Sequence, residues 1–238
     1  MKHSAEDIIE RLKIIDKSFE NILDIGCRAG YLTKLLKTDY PDAKIVAADM
    51  SDSLLNSFKH DHKLLIDEEQ LELAEASFDL ITYSLGLHWI NDIQKFLFNI
   101  KKFLKPDGIF IGNFVGGGSL KNLRNCLIEA EISVGHTHSP HISPFIHFDH
   151  MLPLLTGAGF LEIIIDYENI KLEFDTSLDL MREIQNIGES NALIQRSHYG
   201  VSKQMLSLLE KSNGNIFEDQ ITLISFIASP IKNSIRLK

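Results

Sequence analysis

The stretch NILDIGCRAGYLTKLL, residues 21–36, decides the fold of this chain. Its first half has the pattern of a buried strand, and its second half predicts a helix because apolar residues recur there at helical spacing. Between the two halves lies a turn that contains Asp24, Gly26 and Gly30. A turn poor in side chains lets the backbone approach a ligand closely, and the first amides of the helix face the turn. The stretch therefore predicts a site for an anionic or hydrogen-bond-accepting cofactor.

The composition is that of an ordinary globular protein. The chain has 238 residues, 44% of them hydrophobic, and a mean hydropathy of -0.01, so we expect one large domain with a sizeable core. A formal net charge of -9 argues against a non-specific grip on nucleic acid, because such binding requires a field that attracts phosphates. Cys27 and Cys126 are too few and too far apart in sequence for a disulfide framework or a zinc site. This cysteine usage favours a reducing cytoplasm.

The N-terminal segment MKHSAEDIIERL is charged and amphipathic, so it predicts neither a secretory signal nor a transmembrane helix. No later stretch has the length of a membrane span. Ser4 and Asp7 are spaced as the S-x-x-D start of a capped helix, whose apolar face carries Ile8 and Leu12.

Strand and helix patterns alternate through residues 1–114. Apolar runs at residues 44–48, 63–66, 78–83 and 109–114 predict strands, and helical periodicities separate them. This order predicts an α/β fold whose mostly parallel sheet has helices on both faces and binds ligands at the carboxyl ends of its strands. We expect residues 1–114 to form the cofactor-binding half of a single domain. Residues 115–238 are then the substrate-side half, with further helices and a lid-like loop.

Asp49 follows the second predicted strand and is a candidate ribose ligand. A carboxylate at this position accepts hydrogen bonds from ribose hydroxyls in dinucleotide-binding folds. The alternative is that Asp49 and Ser51 cap the next helix.

Longer segments of the chain carry a resemblance to a known family. Residues 21–36 resemble the first motif of class I S-adenosylmethionine (SAM) dependent methyltransferases, an acidic residue followed by Gly-x-Gly-x-Gly, with Arg28 in place of the middle glycine. FDLI, LHW-I-ND and KKFLKPDGIFIGNF follow, and then GGGSLKNLRNCLIEAE, SPHISPF, LLTGAGF, LMREIQNIGESNAL and QITLISFIA appear in order. Together these segments, over about residues 23–229, resemble the BioC-like methyltransferases. They resemble more closely the related assembly factor of respiratory complex I.

The resemblance implies a Rossmann-like class I methyltransferase fold with a seven-stranded sheet and SAM as the cofactor. It leaves the reaction open, because BioC methylates the carboxyl group of malonyl-acyl carrier protein whereas the assembly factor is regarded as an arginine hydroxylase acting on a complex I subunit. We expect a SAM-dependent methyltransferase with a protein, carrier-bound or small-molecule acceptor. The alternatives are an arginine hydroxylase or assembly factor for complex I, and a non-catalytic scaffold with a degenerate SAM site.

The resemblance also extends the predicted cofactor-binding set beyond Asp24 and the glycines. The methyltransferase fold places an acidic residue beside the adenine amino group after its third strand, and Asp67 is the candidate, with Glu68 and Glu69 expected to form a solvated turn. Arg28 is expected to point away from the crevice. The alternative is that Arg28 fills the methionine end of the pocket, in which case the motif marks ancestry and not activity. The predicted set consists of Asp24, Gly26, Cys27, Gly30, Asp49, Met50, Asp67, Ser84 and Leu85.

His88 and Trp89 follow the fourth strand and are predicted to lie at the substrate side of the crevice, where His88 is also the candidate catalytic base. The alternative is that both residues pack the start of the next helix, with Asn91 or Asp92 as its cap. Further substrate-side candidates, which equally suit a rigid connector or a helix terminus, are Ser139, His141, Ser143 and Asn191.

His147 and Asp149 have the H-x-D spacing of part of an iron site. No double-stranded β-helix pattern surrounds them, so we expect no metal and predict exposed or capping histidines.

Overall fold

The computed structural model describes residues 1–134, 141–189, 202–209 and 216–238. The strands are β1 (Asn21–Ile25), β2 (Lys44–Asp49), β3 (Lys63–Leu65), β4 (Phe78–Ser84), β5 (Leu104–Val115), β6 (Glu162–Phe174) and β7 (Phe217–Ser229). The helices are α1 (Lys2–Lys13), α2 (Tyr31–Asp39), α3 (Asp52–Asn56), α4 (Ile93–Phe103), α5 (Lys121–Ser133), α6 (Phe148–Gly157), α7 (Ser177–Asn186) and α8 (Lys203–Leu209), with a 3₁₀ helix at Leu87–Trp89. In these ranges no helix is both long and apolar enough to cross a membrane.

The strands form one seven-stranded sheet in the order β3-β2-β1-β4-β5-β7-β6. β1 pairs in parallel with β2 and β4, β2 with β3, and β4 with β5, whereas β5 and β7 are antiparallel. The predicted mostly parallel sheet is therefore confirmed. After β1 the chain builds β2 and β3 on one side and then crosses to β4 and β5 on the other. Such a reversal opens a crevice at the carboxyl ends of β1 and β4.

The chain forms two compact units. The first consists of Met1–Val115, Ile146–Tyr167 and Leu223–Lys238, and the second of Gly116–Phe145 and Glu168–Thr222. The predicted division after residue 114 lies one residue from the end of the first segment, but two later segments also belong to the first unit. The cofactor-binding and substrate-side roles of the two halves stay predictions.

The first unit has an apolar core on each face of its sheet, because neighbouring strand residues point to opposite faces. Ile22 and Ile45 belong to the cluster that contains residues of α1 and α2. Leu23 and Ile81 belong to the cluster that contains residues of α4 and α6. Both faces are thus covered by helices, as the alternating sequence pattern predicts.

The start of β5 differs from the prediction. The apolar run predicts a strand from residue 109, but β5 begins at Leu104. The pairing with β4 steps from Phe78 with Leu104 to Leu80 with Ile109. This register shift absorbs the extra residues around the Pro-Asp-Gly segment without ending the strand.

Polar side chains fasten α1 to the sheet. The predicted capping role of Ser4 and Asp7 is wrong, because the helix begins before them with Met1 as its N-cap. The Ser4 hydroxyl instead donates to Asn113 Oδ1 at 3.0 Å and lies 2.5 Å from the Ser84 hydroxyl. Asn113 in turn donates to the Ser4 carbonyl at 2.7 Å and to Asp7 Oδ2 at 3.3 Å. These residues are used in tertiary hydrogen bonds, which are unavailable to a local sequence argument.

The second unit has its own apolar cluster, which includes Leu123 and Leu127 of α5 and Leu178 of α7. The first turn of α5 lacks a capping bond from its own N-cap side chain. Asp219 at the start of β7 takes that role and accepts the backbone N–H of Leu123 at 2.8 Å. A carboxylate at the first turn also interacts favourably with the helix dipole.

Replacing Asn113 by alanine should lower the free energy of unfolding by about 2–4 kcal/mol, because Ser4, Asp7 and Ser84 each lose a hydrogen-bond partner in a mostly buried network. The matched control is Asn56→Ala, at an exposed asparagine that bonds only within α3, to Asp52 at 2.9 Å. It should change stability by less than about 1 kcal/mol. Urea unfolding measures the free energy of unfolding of both variants. Equal losses in the two variants would contradict a structural role for the Asn113 hydrogen bonds.

Candidate functional site

The turn between β1 and α2 requires glycine at two positions. Gly26 has a φ of 61° and Gly30, the N-cap of α2, has a φ of 73°, both in the left-handed region. A Cβ atom at Gly30 would lie 2.4 Å from the Phe58 ring. At Gly26 it would lie 3.2 Å from the Tyr83 ring and 3.4 Å from Glu68 Oε1. Backbone conformation and lack of space thus both explain the glycines that the sequence placed here.

Asp24 lies at the base of the turn and is 1% exposed. Its carboxylate accepts the hydroxyl of Thr33 on α2 at 2.6 Å and the hydroxyl of Thr82 on β4 at 2.8 Å. Burial raises the pKa of Asp24 to about 6, although the two threonine bonds oppose the rise. Asp24 therefore joins β1, α2 and β4 below the turn, and its direct contact with a cofactor stays a prediction.

Asp49 lies at the carboxyl end of β2, beside the turn, and is buried. Its Oδ2 atom accepts the backbone N–H of Arg28 at 2.8 Å, and its Oδ1 atom accepts the N–H of Ser51 at 2.8 Å. The capping role belongs to Ser51, whose hydroxyl accepts the N–H of Leu54. A carboxylate has about four lone-pair directions, so two backbone bonds fix Asp49 and leave it able to accept ligand hydroxyls. Met50, next in sequence, is 68% exposed.

Arg28 crosses the crevice instead of pointing away from it. Its Nη2 atom donates to the carbonyl of Leu85, directly after β4, at 2.8 Å. The expectation that this side chain points away is therefore wrong. The carbonyl acceptor at Leu85 is provided by the tertiary fold, and nothing in the sequence near Arg28 indicates it.

The acidic run after β3 also differs from the prediction. The carboxylate of the exposed Asp67 accepts the N–H of Glu69 at 2.9 Å, whereas Glu68 accepts the Tyr83 hydroxyl. Burial raises the pKa of Glu68. Glu69 accepts both the backbone and side-chain N–H groups of Asn91, at 2.6 and 2.9 Å. Glu68 and Glu69 lie in a turn, as predicted, but both are partly buried and bonded to Tyr83 and Asn91, so the expectation that they are solvated is wrong. The adenine contact of Asp67 stays a prediction.

The segment after β4 combines residues with different roles. Ser84 is held in the network of Ser4 and Asn113. His88 and Trp89 lie in the 3₁₀ helix with ring centroids 5.4 Å apart. Asp92 caps α4 by accepting the N–H of Lys95 at 3.0 Å, as one of the two sequence alternatives expects. The proposed substrate and base roles of His88 stay predictions.

Cys27 belongs to the turn but is unsuited to nucleophilic chemistry. Its side chain is buried in a cluster with Ala47 and Leu55. Burial raises its pKa, and the charges of Asp24 and Asp49 raise it further, so the thiol stays protonated.

Of the remaining substrate-side candidates, His141 and Ser143 lie in the second unit. His141 bonds through Nε2 to the buried Glu131 carboxylate at 2.8 Å, and the Ser143 carbonyl accepts from Arg124 at 3.4 Å. Ser139 and Asn191 lie outside the described residues. Within the described ranges, no group of three histidine, cysteine, aspartate or glutamate side chains is arranged to hold a metal ion. His147 is the N-cap of α6, without a capping bond from its side chain.

Sequence reasoning missed the partners that shape the site, among them Thr33, Thr82 and Tyr83. A signal existed for Thr33 and Thr82, because each lies among the apolar residues that form the buried part of its helix or strand. Buried hydroxyls need partners, so such positions indicate a polar contact in the interior. Which group supplies the contact depends on the fold.

Comparison with known proteins gives relatives over nearly the whole chain. The methyltransferase domain family matches residues 23–112. Protein RP459 of Rickettsia prowazekii, whose name assigns it to the methyltransferases, is 64% identical over 94% of this chain and 99% of its own length. The human mitochondrial protein named arginine-hydroxylase NDUFAF5 is 37% identical over 79% of this chain, which spans 56% of that relative. A malonyl-[acyl-carrier protein] O-methyltransferase of Methylovorus is 28% identical, with 79% and 66% of the two chains covered.

Solved structures share the fold. A Bacillus halodurans protein described as a methyltransferase superposes with a TM-score of 0.64 at 16% identity, covering 94% of this chain and 99% of the other. A phosphoethanolamine N-methyltransferase of Haemonchus contortus, in complex with SAM, gives a TM-score of 0.57 at 17% identity, covering 95% and 53%. At these identities the likeness shows the architecture alone.

Replacing Asp24 by asparagine should remove part of the pH dependence of stability. The folded carboxyl titrates near pH 6 and an ordinary aspartate near 3.8, so between these values the folded state binds more protons than the unfolded state. The contribution of Asp24 is therefore fully present below about pH 4 and is lost as the pH rises through about 6, by at most about 3 kcal/mol. Urea unfolding at several pH values measures this. A constant difference between wild type and Asp24→Asn across that range would contradict the titration of Asp24.

Gly30→Ala should destabilise the protein by about 2–4 kcal/mol, because a left-handed residue gains a Cβ that collides with Phe58. Gly188→Ala is the matched control: Gly188 has a φ of 80°, and among the described residues, apart from its chain neighbours, no atom lies within 4 Å of an added Cβ. The free energy of unfolding of this control should fall by only about 1–2 kcal/mol, the cost of a left-handed backbone with a Cβ atom. Thermal unfolding of both variants tests the difference, and a Gly188 variant as unstable as the Gly30 variant would refute the steric contribution.

Proposed function

We propose that this chain, which belongs to the class I SAM-dependent methyltransferase family, binds SAM beside the turn between β1 and α2 and transfers its methyl group to an acceptor. The observation that carries the proposal is the carboxylate of Asp49. It is fixed at the end of β2 by the N–H of Arg28, a residue of the turn itself, at 2.8 Å. An acidic side chain in this position, next to a glycine turn at the point where the strand order reverses, suits a ribose.

The residues at the turn fit an adenosine-containing cofactor. Gly26 and Gly30 let the backbone approach a ligand, and Asp49 can accept ribose hydroxyls. When bound, SAM would supply an activated methyl group: a bond from an acceptor lone pair to the methyl carbon would form as the carbon–sulfur bond breaks, with S-adenosylhomocysteine as the leaving group, and an acceptor that carries a proton would lose it to solvent or a base. The protein's task is then to position the reactants and exclude water, so a strong acid or base is not required. This is consistent with the protonated thiol of Cys27.

The acceptor is a protein, a carrier-bound group or a small molecule. Protein RP459, at 64% identity, favours methyl transfer as the reaction class. The 37% identity to the protein named arginine-hydroxylase favours a second candidate function, hydroxylation of an arginine. The resemblance to the complex I assembly factor implies an arginine of a complex I subunit as the substrate in that case. Hydroxylation inserts an oxygen atom and therefore needs an oxidant, whereas methylation needs SAM alone.

We place the reaction in the cytoplasm. Cys27 and Cys126 are both free thiols, as expected in a reducing compartment. Cys27 is buried and Cys126 is partly buried, so neither forms an exposed reactive group.

Wild-type protein should bind SAM and S-adenosylhomocysteine in a calorimetric titration, and Asp49→Asn should weaken both about 10-fold to 100-fold, because hydrogen bonds to a charged group are lost. The matched control is Asp52→Asn, at an exposed aspartate three residues later that bonds to Asn56 within α3. The control should bind as the wild type does. No heat and no thermal shift for the wild type would exclude SAM as its cofactor and favour a non-catalytic scaffold.

The reaction type is tested with SAM that carries a deuterated methyl group. Two acceptors are compared, malonyl-acyl carrier protein and an arginine-containing peptide, each with and without enzyme. Methyl transfer should add the labelled methyl group to one of them, as mass spectrometry detects. An added oxygen atom without label would instead establish the hydroxylase and reject the methyltransferase.

A further inference from the structure

We propose that Arg28 binds the carboxylate at the amino-acid end of the cofactor, in an assignment that rests on the SAM site proposed above. Arg28 occupies the place of the middle glycine in the turn after β1, where a large cation is unexpected. Its contacts on both sides of β1 make it a specificity residue for ligands that carry a carboxylate.

The first observation is the span of Arg28 across the crevice. Its backbone N–H bonds to Asp49 at the end of β2, at 2.8 Å. Its guanidinium bonds to the carbonyl of Leu85 after β4, also at 2.8 Å. β1 lies between β2 and β4 in the sheet. One residue therefore reaches from the proposed ribose ligand to the opposite side of the point where the strand order reverses.

The second observation is backbone strain at both ends of the guanidinium bond. Arg28 has a φ of 52° and Leu85 has a φ of 53°, the left-handed region that side chains other than glycine rarely adopt. The N–H of Leu85 is held by the carbonyl of Asn113 at 2.8 Å. Strained residues that meet at a ligand crevice are more often explained by function than by stability, because glycine at position 28 would avoid the cost.

The third observation is the charge around the turn. Asp49 and Glu68 bring carboxyl groups to this edge of the sheet, and Asp24 lies below them. Arg28 opposes the rise in the pKa of Glu68 and of Tyr83, so its positive charge acts inside this acidic surrounding. A ligand carboxylate would be repelled here by the neighbouring carboxyl groups unless a cation compensated them.

The chemistry of the ligand completes the assignment. The amino-acid end of SAM carries a carboxylate and an ammonium group. If the SAM ribose is held at Asp49, Arg28 is a cation that would meet this end, because its contacts extend from Asp49 across β1 to Leu85. A guanidinium matches a carboxylate in a paired, charge-assisted geometry. The Leu85 carbonyl is then an acceptor for the ammonium group. Ligand binding would break the present hydrogen bond between Arg28 and Leu85. Arg28 would then bond to the ligand carboxylate, and the Leu85 carbonyl would accept from the ligand ammonium group.

The test compares SAM with decarboxylated SAM, which keeps the ammonium group and lacks the carboxylate. Calorimetry is carried out on the wild type and on Arg28→Met, Arg28→Lys and Arg28→Gly. The wild type should prefer SAM, and Arg28→Met should reduce this preference about 10-fold to 50-fold, a tenfold change being about 1.4 kcal/mol. Arg28→Lys should retain part of the preference, because it keeps the charge but not the paired geometry.

Arg28→Gly is the folding control, because glycine suits the left-handed backbone at this position. It should unfold at the wild-type temperature or above and still lose the preference for SAM. Tighter binding of both ligands by the same factor in Arg28→Met would overturn the assignment and make Arg28 an obstruction of the crevice. An Arg28→Met variant that prefers SAM over decarboxylated SAM as strongly as the wild type does would also overturn the assignment. The proposed binding of SAM would still stand in that case. Absence of binding of either ligand to the wild type would overturn the proposed function and this assignment together.

Discussion

The buried carboxylate of Asp24 is the contact on which the site depends. It accepts one hydroxyl from α2 and one from β4, so a single side chain at the end of β1 ties together a strand, its neighbouring strand and the helix that follows. Two hydrogen bonds to a group with almost no solvent contact are strong constraints, because losing either leaves a buried acceptor unsatisfied. The turn above Asp24 is thereby held in one conformation. Gly26 and Gly30 of this turn have no side chains, so their left-handed conformation depends on the contacts of Asp24.

Carboxyl groups accumulate at the same edge of the sheet for different reasons. Asp49 is fixed by backbone N–H groups, Glu68 accepts the Tyr83 hydroxyl, and Asp24 supports the turn. Each of these three carboxyl groups has its own partner. Together they repel a further anion and attract a cation. Arg28 lies in this environment and bridges β2 to β4. The departure from the glycine motif thus changes the electrostatics of the crevice as well as its shape.

The architecture does not by itself select the reaction. The relatives that match most of this chain include one named as an arginine hydroxylase and one named as an O-methyltransferase, so relatives of one chain carry names of different reactions. The second unit is a separate compact body with its own apolar cluster, and in it the buried carboxylate of Glu131 bonds to the partly buried His141.

The sequence by itself determined the order of strands and helices, the parallel sheet with two covered faces, and the glycine turn with Asp49 beside it. These features follow from hydrophobic periodicity and from the backbone needs of single residues, which are local properties. The tertiary structure alone decided the partners of polar side chains: Ser4 with Asn113, Glu69 with Asn91, and Arg28 with Leu85. Such pairs join residues 22 to 109 positions apart. A hydrogen bond forms only when the fold brings donor and acceptor together, so sequence spacing cannot indicate it.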